Sequence, residues 1–469
     1  MRKIFVNGLV YTGELPLTEA FAIEDGRFLY VGSSGECSAL RKKNSEIIDL
    51  GGRFACAGFN DSHMHLINFG SALRIADLSL HTGSIQELQA ELRRFLKEKR
   101  LPPGAWLRGR GWNQDRFSDS DCFPNRYDLD AVSTAHPICI VRACGHCCSV
   151  NSKALELIGI DTLTDVPGGV IERGCSGEPL GIFRENAMDM VFDKIPSPRD
   201  LKEMILQASA VLNSYGITSC QSDDFGSAIS PYDVIDAFSE LEREGKLTVR
   251  VYEQSRLESI HQLKQFIGRG YRTGTGSDMF KIGPLKIMAD GSLGSRTAYL
   301  KEPYADEPST RGISTYDPDA LCSLVNFAHI NGMQVAIHAI GDEATAVSMD
   351  AIEKALKANP RPDHRHGIVH CQITTREQLD KFRELSLHAY IQSIFLDYDI
   401  GIVAKRVGQE RAATSYHFKT LFHYASASNG SDCPVELPDV FAGMQCAVTR
   451  SRLSGGEPYL TDQALSMKQ

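Results

Sequence analysis

The segment Gly58-Phe59-Asn60-Asp61-Ser62-His63-Met64-His65 places two histidines two residues apart. In a strand such residues face the same side, so His63 and His65 would present two imidazoles together, a ready pair of metal ligands. The pair alone is weak evidence, because two surface histidines can do nothing. The Gly-Phe-Asn-Asp-Ser run before it raises the specificity. In Leu285–Gly291 the same alternation puts Lys286, Met288 and Asp290 on one face. If that face is interior, a lysine is buried, which is costly without a partner and depresses its pKa. A neutral lysine amine can take up carbon dioxide as a carbamate, an anionic ligand able to bridge two metals. The plainer possibility is an ordinary lysine paired with Asp290, and spacing leaves both open. His338 closes the apolar run Val335–Ile337 before Ala339-Ile340-Gly341-Asp342, and His370 repeats the arrangement in Gly367–Gln372. Each alone is more often a satisfied core histidine; together they supply the imidazoles a binuclear site still needs. Asp432, in Asn429-Gly430-Ser431-Asp432-Cys433-Pro434, could bind metal and take a proton from metal-bound water. Its plainer reading is a turn before Pro434.

These residues need elements to position them. Eight short apolar runs end near His65, Asp224, Gln254, Asp290, His338, His370, Gln392 and Asp432, with amphipathic stretches such as Leu201–Tyr215, Pro318–Asn331 and Glu343–Ala358 between most of them. Eight strand–helix units predict an α/β fold, a (β/α)₈ TIM barrel, whose active site lies at the C-terminal strand ends. The polar residues fall there. In a closed barrel Asp432 would lie beside the first strand. Residues 1–53 read as short strands with turns (Lys3–Val10, Phe21–Glu24, Phe28–Gly32), an N-terminal β domain before a barrel over 54–469. The first two runs are too far apart for one helix, so residues about 70–200 hold an insertion with strands of its own near Ala105–Gly109 and Pro137–Arg142. Such insertions serve as lids or substrate walls.

The chain has 469 residues and a formal charge of −9. That balance disfavours nucleic acid and anionic membranes as partners. The expected partner is a small-molecule substrate, and a homodimer is an assembly the sequence allows. No signal peptide or bilayer-length apolar run is visible, which makes a cytoplasmic location the expectation. The 13 cysteines are scattered. An odd count argues against a disulfide framework. Cys144-x-x-Cys147 lacks the second such pair that a structural zinc site needs, so reduced, partly buried thiols are expected.

Taken in order, these motifs resemble the amidohydrolase superfamily, and within it amidohydrolase family 3, the YtcJ-like group that includes N-substituted formamide deformylases. Gly58–Leu66, Gly145-His146 with Asn151–Leu155, Lys286–Thr297, His338–Glu343, His364–Gln372 and Gly430–Val435 carry the resemblance. It implies a barrel with a β-sandwich built from both chain ends; the chain stops at Gln469, so the C-terminal sandwich strands are expected to be missing. It implies zinc or a similar divalent ion, one or two of them. His63, His65 and Asp432 would bind one, His338 and His370 the other, and carboxylated Lys286 would bridge. Asp432 would be the general base; Lys286 and His370 would share the catalytic centre. His146, Asn113, Asp115, Glu185, Asp290, His366 and Gln392 would be substrate-side groups. The reaction implied is hydrolysis of a non-peptide, amide-like carbon–nitrogen bond. A mononuclear deaminase loses ground, because Ala339-Ile340-Gly341 follows His338 where such enzymes carry a glutamate. The motifs also leave room for an esterase or lactonase, and for a non-catalytic regulatory relative.

Overall fold

Near-continuous apolar runs such as Val335–Ala339 and Gly367–His370 suit strands buried on both faces, and with six further strands they form one sheet in chain order. In a computed structural model the strands are β1 (Phe59–Met64), β2 (Ile217–Ser222), β3 (Arg250–Arg256), β4 (Phe280–Met288), β5 (Val335–Ala339), β6 (Gly367–His370), β7 (His388–Ile391) and β8 (Ser426–Asn429). The structure describes every residue except 81–82, 115–116, 121, 144, 146, 161–163, 167–168, 186, 196–200, 227–228, 258 and 468. Helices Leu201–Ser214, Pro231–Arg243, Ile260–Gly268, Pro318–Ile330, Asp342–Ala358 and Arg376–Glu384 alternate with the strands. The parallel strands and their helices make a nearly closed (β/α)₈ barrel. β8, more polar than the others, is still paired along its length with β7. Its serines explain themselves there: His388 on β7 contacts the hydroxyls of Ser426 and Ser428, each at 2.7 Å.

Backbone just beyond the strands closes the seam between β8 and β1. The Asp432 amide donates to His63 O at 2.8 Å and the His65 amide to Cys433 O at 2.8 Å. Asp61 accepts from the Ser431 amide at 3.0 Å and its hydroxyl at 2.5 Å. Gly430 has to be glycine at this crossing: a Cβ would lie 2.6 Å from the His63 nitrogen.

Chain contacts separate Met1–Phe59 from Asn60–Gln469. The first unit holds a four-stranded sheet, in the order Arg27–Gly32, Ala20–Glu24, Arg2–Val6, Glu46–Asp49, over a small core of Ile4, Ala20, Ala22 and Cys37. Its Glu24-Asp25-Gly26 turn has both Asp25 and Gly26 at positive φ, as a tight hairpin demands.

The insertion between β1 and β2 is a six-stranded sheet of its own. Ile138 and Ile140 face one core, with Leu88, Leu92 and Phe95 of helix Ile85–Lys99. Cys139 faces the other, with Ala154, Leu155 and Ile158 of helix Ser152–Ile158. Cys147 and Cys148 split between the two cores as buried residues; Cys144 lies outside the described residues. Among the described residues no helix is long and apolar enough to cross a membrane.

His366, expected above as a substrate-side group, sits at the wrong end of the barrel. It immediately precedes β6, whereas His370 ends that strand, and its Nδ1 accepts from the amide of Val335, the first residue of β5, at 3.0 Å. With Nδ1 accepting, its Nε2 must carry the proton and donate to His329 Nδ1 at 2.9 Å. His329 then donates to Asn359 O at 2.6 Å. His364 accepts the His366 amide at 2.9 Å and donates to Leu385 O at 2.9 Å. Every ring is neutral and satisfied, so this cluster holds the floor of the barrel. Burial pushes His366 down to about 2, with His364 and Arg361 adding to it. A histidine whose folded pKa lies below its unfolded one gives stability that is fully present above the unfolded value of about 6.5 and is lost as pH falls. The expected result is that unfolding free energy drops by about 1.4 kcal/mol per pH unit below ~6.5 on account of this residue. Urea denaturation of His366→Phe should show a slope shallower by one proton; an unchanged slope would refute the assignment.

Candidate metal centre

The C-terminal ends of β1, β4, β5 and β6 and the loop after β8 converge. His63 and His65 come from the end of β1, Lys286 from β4, His338 from β5, His370 from the last position of β6, and Asp432 from the turn after β8. Ligand atoms of His63, His65 and Asp432 all lie within 4.8 Å of one another. Asp432 Oδ1 stands 3.1 Å from His65 Nε2 and 3.3 Å from His63 Nε2. The His63 ring is 5.5 Å from that of His370, which is 4.5 Å from His338. Lys286 Nζ reaches His63 Nε2 at 3.1 Å. All six expected ligand positions are thus neighbours.

Each imidazole is held from behind. His63 Nδ1 donates to Gln254 Oε1 at 3.0 Å, and His370 Nδ1 to Gln392 Oε1 at 2.7 Å. His65 Nδ1 donates to the Asp223 carbonyl at 2.8 Å. These bonds put a proton on each Nδ1 and turn the Nε2 atoms inward, the usual outer-shell device around a metal. His338 is turned the other way. Its Nε2 donates to Gly291 O at 3.0 Å and lies 3.3 Å from Asp290, which leaves the Nδ1 lone pair unprotonated.

Burial sets the electrostatics. It pushes His63 down to about 4, and Lys286 adds to the effect. Burial also opposes charge on His65, but Asp432 overrides it and raises His65 to about 9. Asp432 is itself buried, yet the neighbouring His63 and His65 rings hold its carboxyl well below the usual range. Burial lowers Lys286, with Asp223 and Asp432 partly offsetting it. The lysine is buried, as strand alternation suggested, but the pairing with Asp290 is not the one found. The carboxylate beside it is Asp223, at 3.7 Å. Neither Asp223 side-chain oxygen has a hydrogen-bond partner among the described residues.

The expected substrate-side groups fare unevenly. Asp290 is committed to backbone: it accepts from the amides of Ile340 (3.1 Å), Gly341 (2.8 Å) and Tyr299 (2.9 Å). It shapes the loop after β5 and faces His338. Gln392 is committed to His370. Asp290 thus abuts His338 and Gln392 fixes the His370 ring. Asn113 lies at the end of the insertion strand Leu107–Trp112 and accepts from Arg142 at 2.8 Å. Glu185 ends the strand Pro179–Glu185 with φ of 50°. His146 and Asp115 lie outside the described residues.

Gln254, Asp223 and Asp61 escaped the sequence reading as working groups. Gln254 carried a signal, since it ends the third run in step with the other polar strand ends; the partners of Asp223 and Asp61 are far along the chain. Gln254→Leu or Gln392→Leu is expected to weaken metal affinity by about 10–100-fold, measured by competition with a chelator. Affinity within twofold of the parent would remove the orienting role.

Comparison with known proteins agrees with this geometry. The sequence profile of the amidohydrolase family matches residues 46–469. YtcJ of Bacillus subtilis (strain 168), an amidohydrolase by name, is 34% identical over 99% of this chain and 87% of its own. N-substituted formamide deformylase of Arthrobacter pascens is 25% identical over 79% of this chain and 68% of its own. The crystal structure of an uncharacterized metal-dependent hydrolase from Pyrococcus furiosus superposes with a TM-score of 0.80 at 29% identity, covering 100% of this chain and 92% of that one.

Proposed function

The chain belongs to the amidohydrolase family, and on that premise we propose that it hydrolyses an amide-like, non-peptide carbon–nitrogen bond of a small molecule. The observation that carries the reading is the meeting of His63, His65 and Asp432 within 4.8 Å, next to Lys286, His338 and His370. The donor set fits a divalent ion, zinc first. It offers imidazole lone pairs tied back from the far side and a carboxylate held ionised. His63, His65 and Asp432 would hold one ion, and His338 and His370 a second. Lys286 would bridge them after its neutral amine adds to carbon dioxide, forming an N–C bond and releasing one N–H proton to solvent. A divalent ion bound there would supply a Lewis acid for the carbonyl and a lowered pKa for water.

The remaining work falls to the chain. Among the described residues Asp432 is the only carboxylate within hydrogen-bond reach of both β1 histidines, and it is ionised. It accepts the proton of the attacking water and delivers it to the leaving nitrogen. Gln254, Gln392 and Asp290 hold the rings in place meanwhile.

The test is metal quantification with a hydrolysis screen of N-acyl and N-formyl amines beside the matching esters. Metal-loaded protein should cleave members of the amide series. Cleavage of esters alone would move the reading to an esterase, and protein that takes up no divalent ion would end it.

A further inference from the structure

A cavity of about 140 Å³ opens at the same end of the barrel. Its walls continue from the ligand-bearing strand ends. Ile340 lies two residues past His338, Gln372 two past His370, and Val435 and Glu436 follow Asp432. Phe395 lines it and stacks on the His370 ring, centroids 5.9 Å apart and planes 13° from parallel. The cavity therefore adjoins the His370–Asp432 side of the centre. Leu293, Ile340, Phe395 and Val435 make it largely apolar.

Two carboxyls interrupt that lining. Asp399 is fixed by Oδ2, which accepts from Gln372 Nε2 at 2.8 Å and from Tyr416 OH at 2.7 Å. Its Oδ1, and both oxygens of Glu436, have no hydrogen-bond or ion-pair partner among the described residues. Among those residues no lysine or arginine lines the cavity. Arg406 comes near, reaching Gly294 O at 3.4 Å, but is committed to Asp306 at 2.5 Å. Burial pushes Glu436 up to about 7, with Asp397, Asp399 and Asp432 adding to it. Two carboxyls in an apolar recess with no cation beside them are destabilising unless something brings the missing charge. The chain does not bring it.

We propose that this cavity is the subsite for the substrate's substituent, and that it selects a compact group, apolar along its length and tipped by a basic nitrogen that meets Glu436 and Asp399. The volume is close to the ~150 Å³ of a protein cavity that takes up benzene, so about six non-hydrogen atoms fit. The inference rests on the amidohydrolase reading and adds a substrate class to it: N-acyl amines or amides carrying an aliphatic ammonium a short chain away from the scissile bond.

The experiment is calorimetric titration of the metal-loaded full chain at pH 8 with n-pentylammonium and with n-pentanol, its neutral counterpart. The parent protein should bind the ammonium at least tenfold tighter. In Glu436→Gln that ratio should fall towards one, and Glu436→Asp should restore part of it. Glu436 makes no hydrogen bond that the fold needs, so these variants should fold. Equal binding of the two probes, no binding of the ammonium, or a ratio untouched by Glu436→Gln would overturn the proposal. The readout is binding alone. A failed preference with amide hydrolysis intact sinks only the subsite, whereas a failed amide screen sinks the reading beneath it.

Discussion

Asp432→Asn is expected to fold normally and to lose about 10²–10⁴ in kcat/KM, the range for removing a positioned general base. The fold should survive because the seam uses the backbone of Asp432, not its side chain. The left-handed conformation there, φ 57°, also suits asparagine. The electrostatic consequence has a definite sign. Asp432 is what raises His65 to about 9. Without that charge, burial dominates and His65 becomes neutral at pH 7. The variant should therefore release fewer protons when it takes up metal near neutral pH, because protons and metal compete for the same lone pair. Titration in buffers of different ionisation enthalpy reads that proton count directly. Activity within tenfold of the parent would show that Asp432 is not the base. An unchanged proton count would show that it does not govern His65.

Lys286→Met carries the second large effect. Methionine keeps the length and apolar stem of the side chain, so β4 should pack as before. The proposed carbamate bridge could not form. Metal affinity should fall by more than about 100-fold, the upper end of what losing an outer-shell partner costs, and activity should fall with it. The parent protein stripped of metal should take up zinc faster and more fully when bicarbonate is present. With ¹³C-bicarbonate it should show a carbamate carbon resonance that the variant lacks. Full metal content in Lys286→Met, with uptake indifferent to bicarbonate, would leave Lys286 as a plain ammonium paired with Asp223.

The barrel was legible because its signal is local. A run of apolar residues closing on a polar one repeats eight times, and each repeat follows from strand alternation and helix periodicity alone. The six central positions were legible for the same reason: His65, His338, His370 and Asp432 close their runs, and His63 and Lys286 share a strand face with the residue that closes theirs. Legibility failed where a role depends on partners distant in sequence. His366 and His370 flank and end one short strand, four residues apart, yet one serves the floor and the other the mouth. Only the direction of β6 separates them. Asp290 ends its run as His338 and His370 do, but three backbone amides from the following loops claim it. The insertion was visible as a gap, with two of its strands. Its two-faced sheet was not, because Cys147-Cys148 and Pro179–Glu185 lack the β-branched pattern that marks a strand.

The seam between β8 and β1 has a thermodynamic consequence. His65 and Asp432 are 367 residues apart, and an ion held by both ties the first strand of the barrel to the last. Such a clip acts as a reversible cross-link over nearly the whole barrel. Long loops gain most from closure in the chain-entropy view, and a ligand that binds only the closed form stabilises it by RT ln(1 + [L]/Kd). Metal binding and barrel closure would then be one linked equilibrium. Chelation would act as the cutting of a staple, felt first where β8 meets β1.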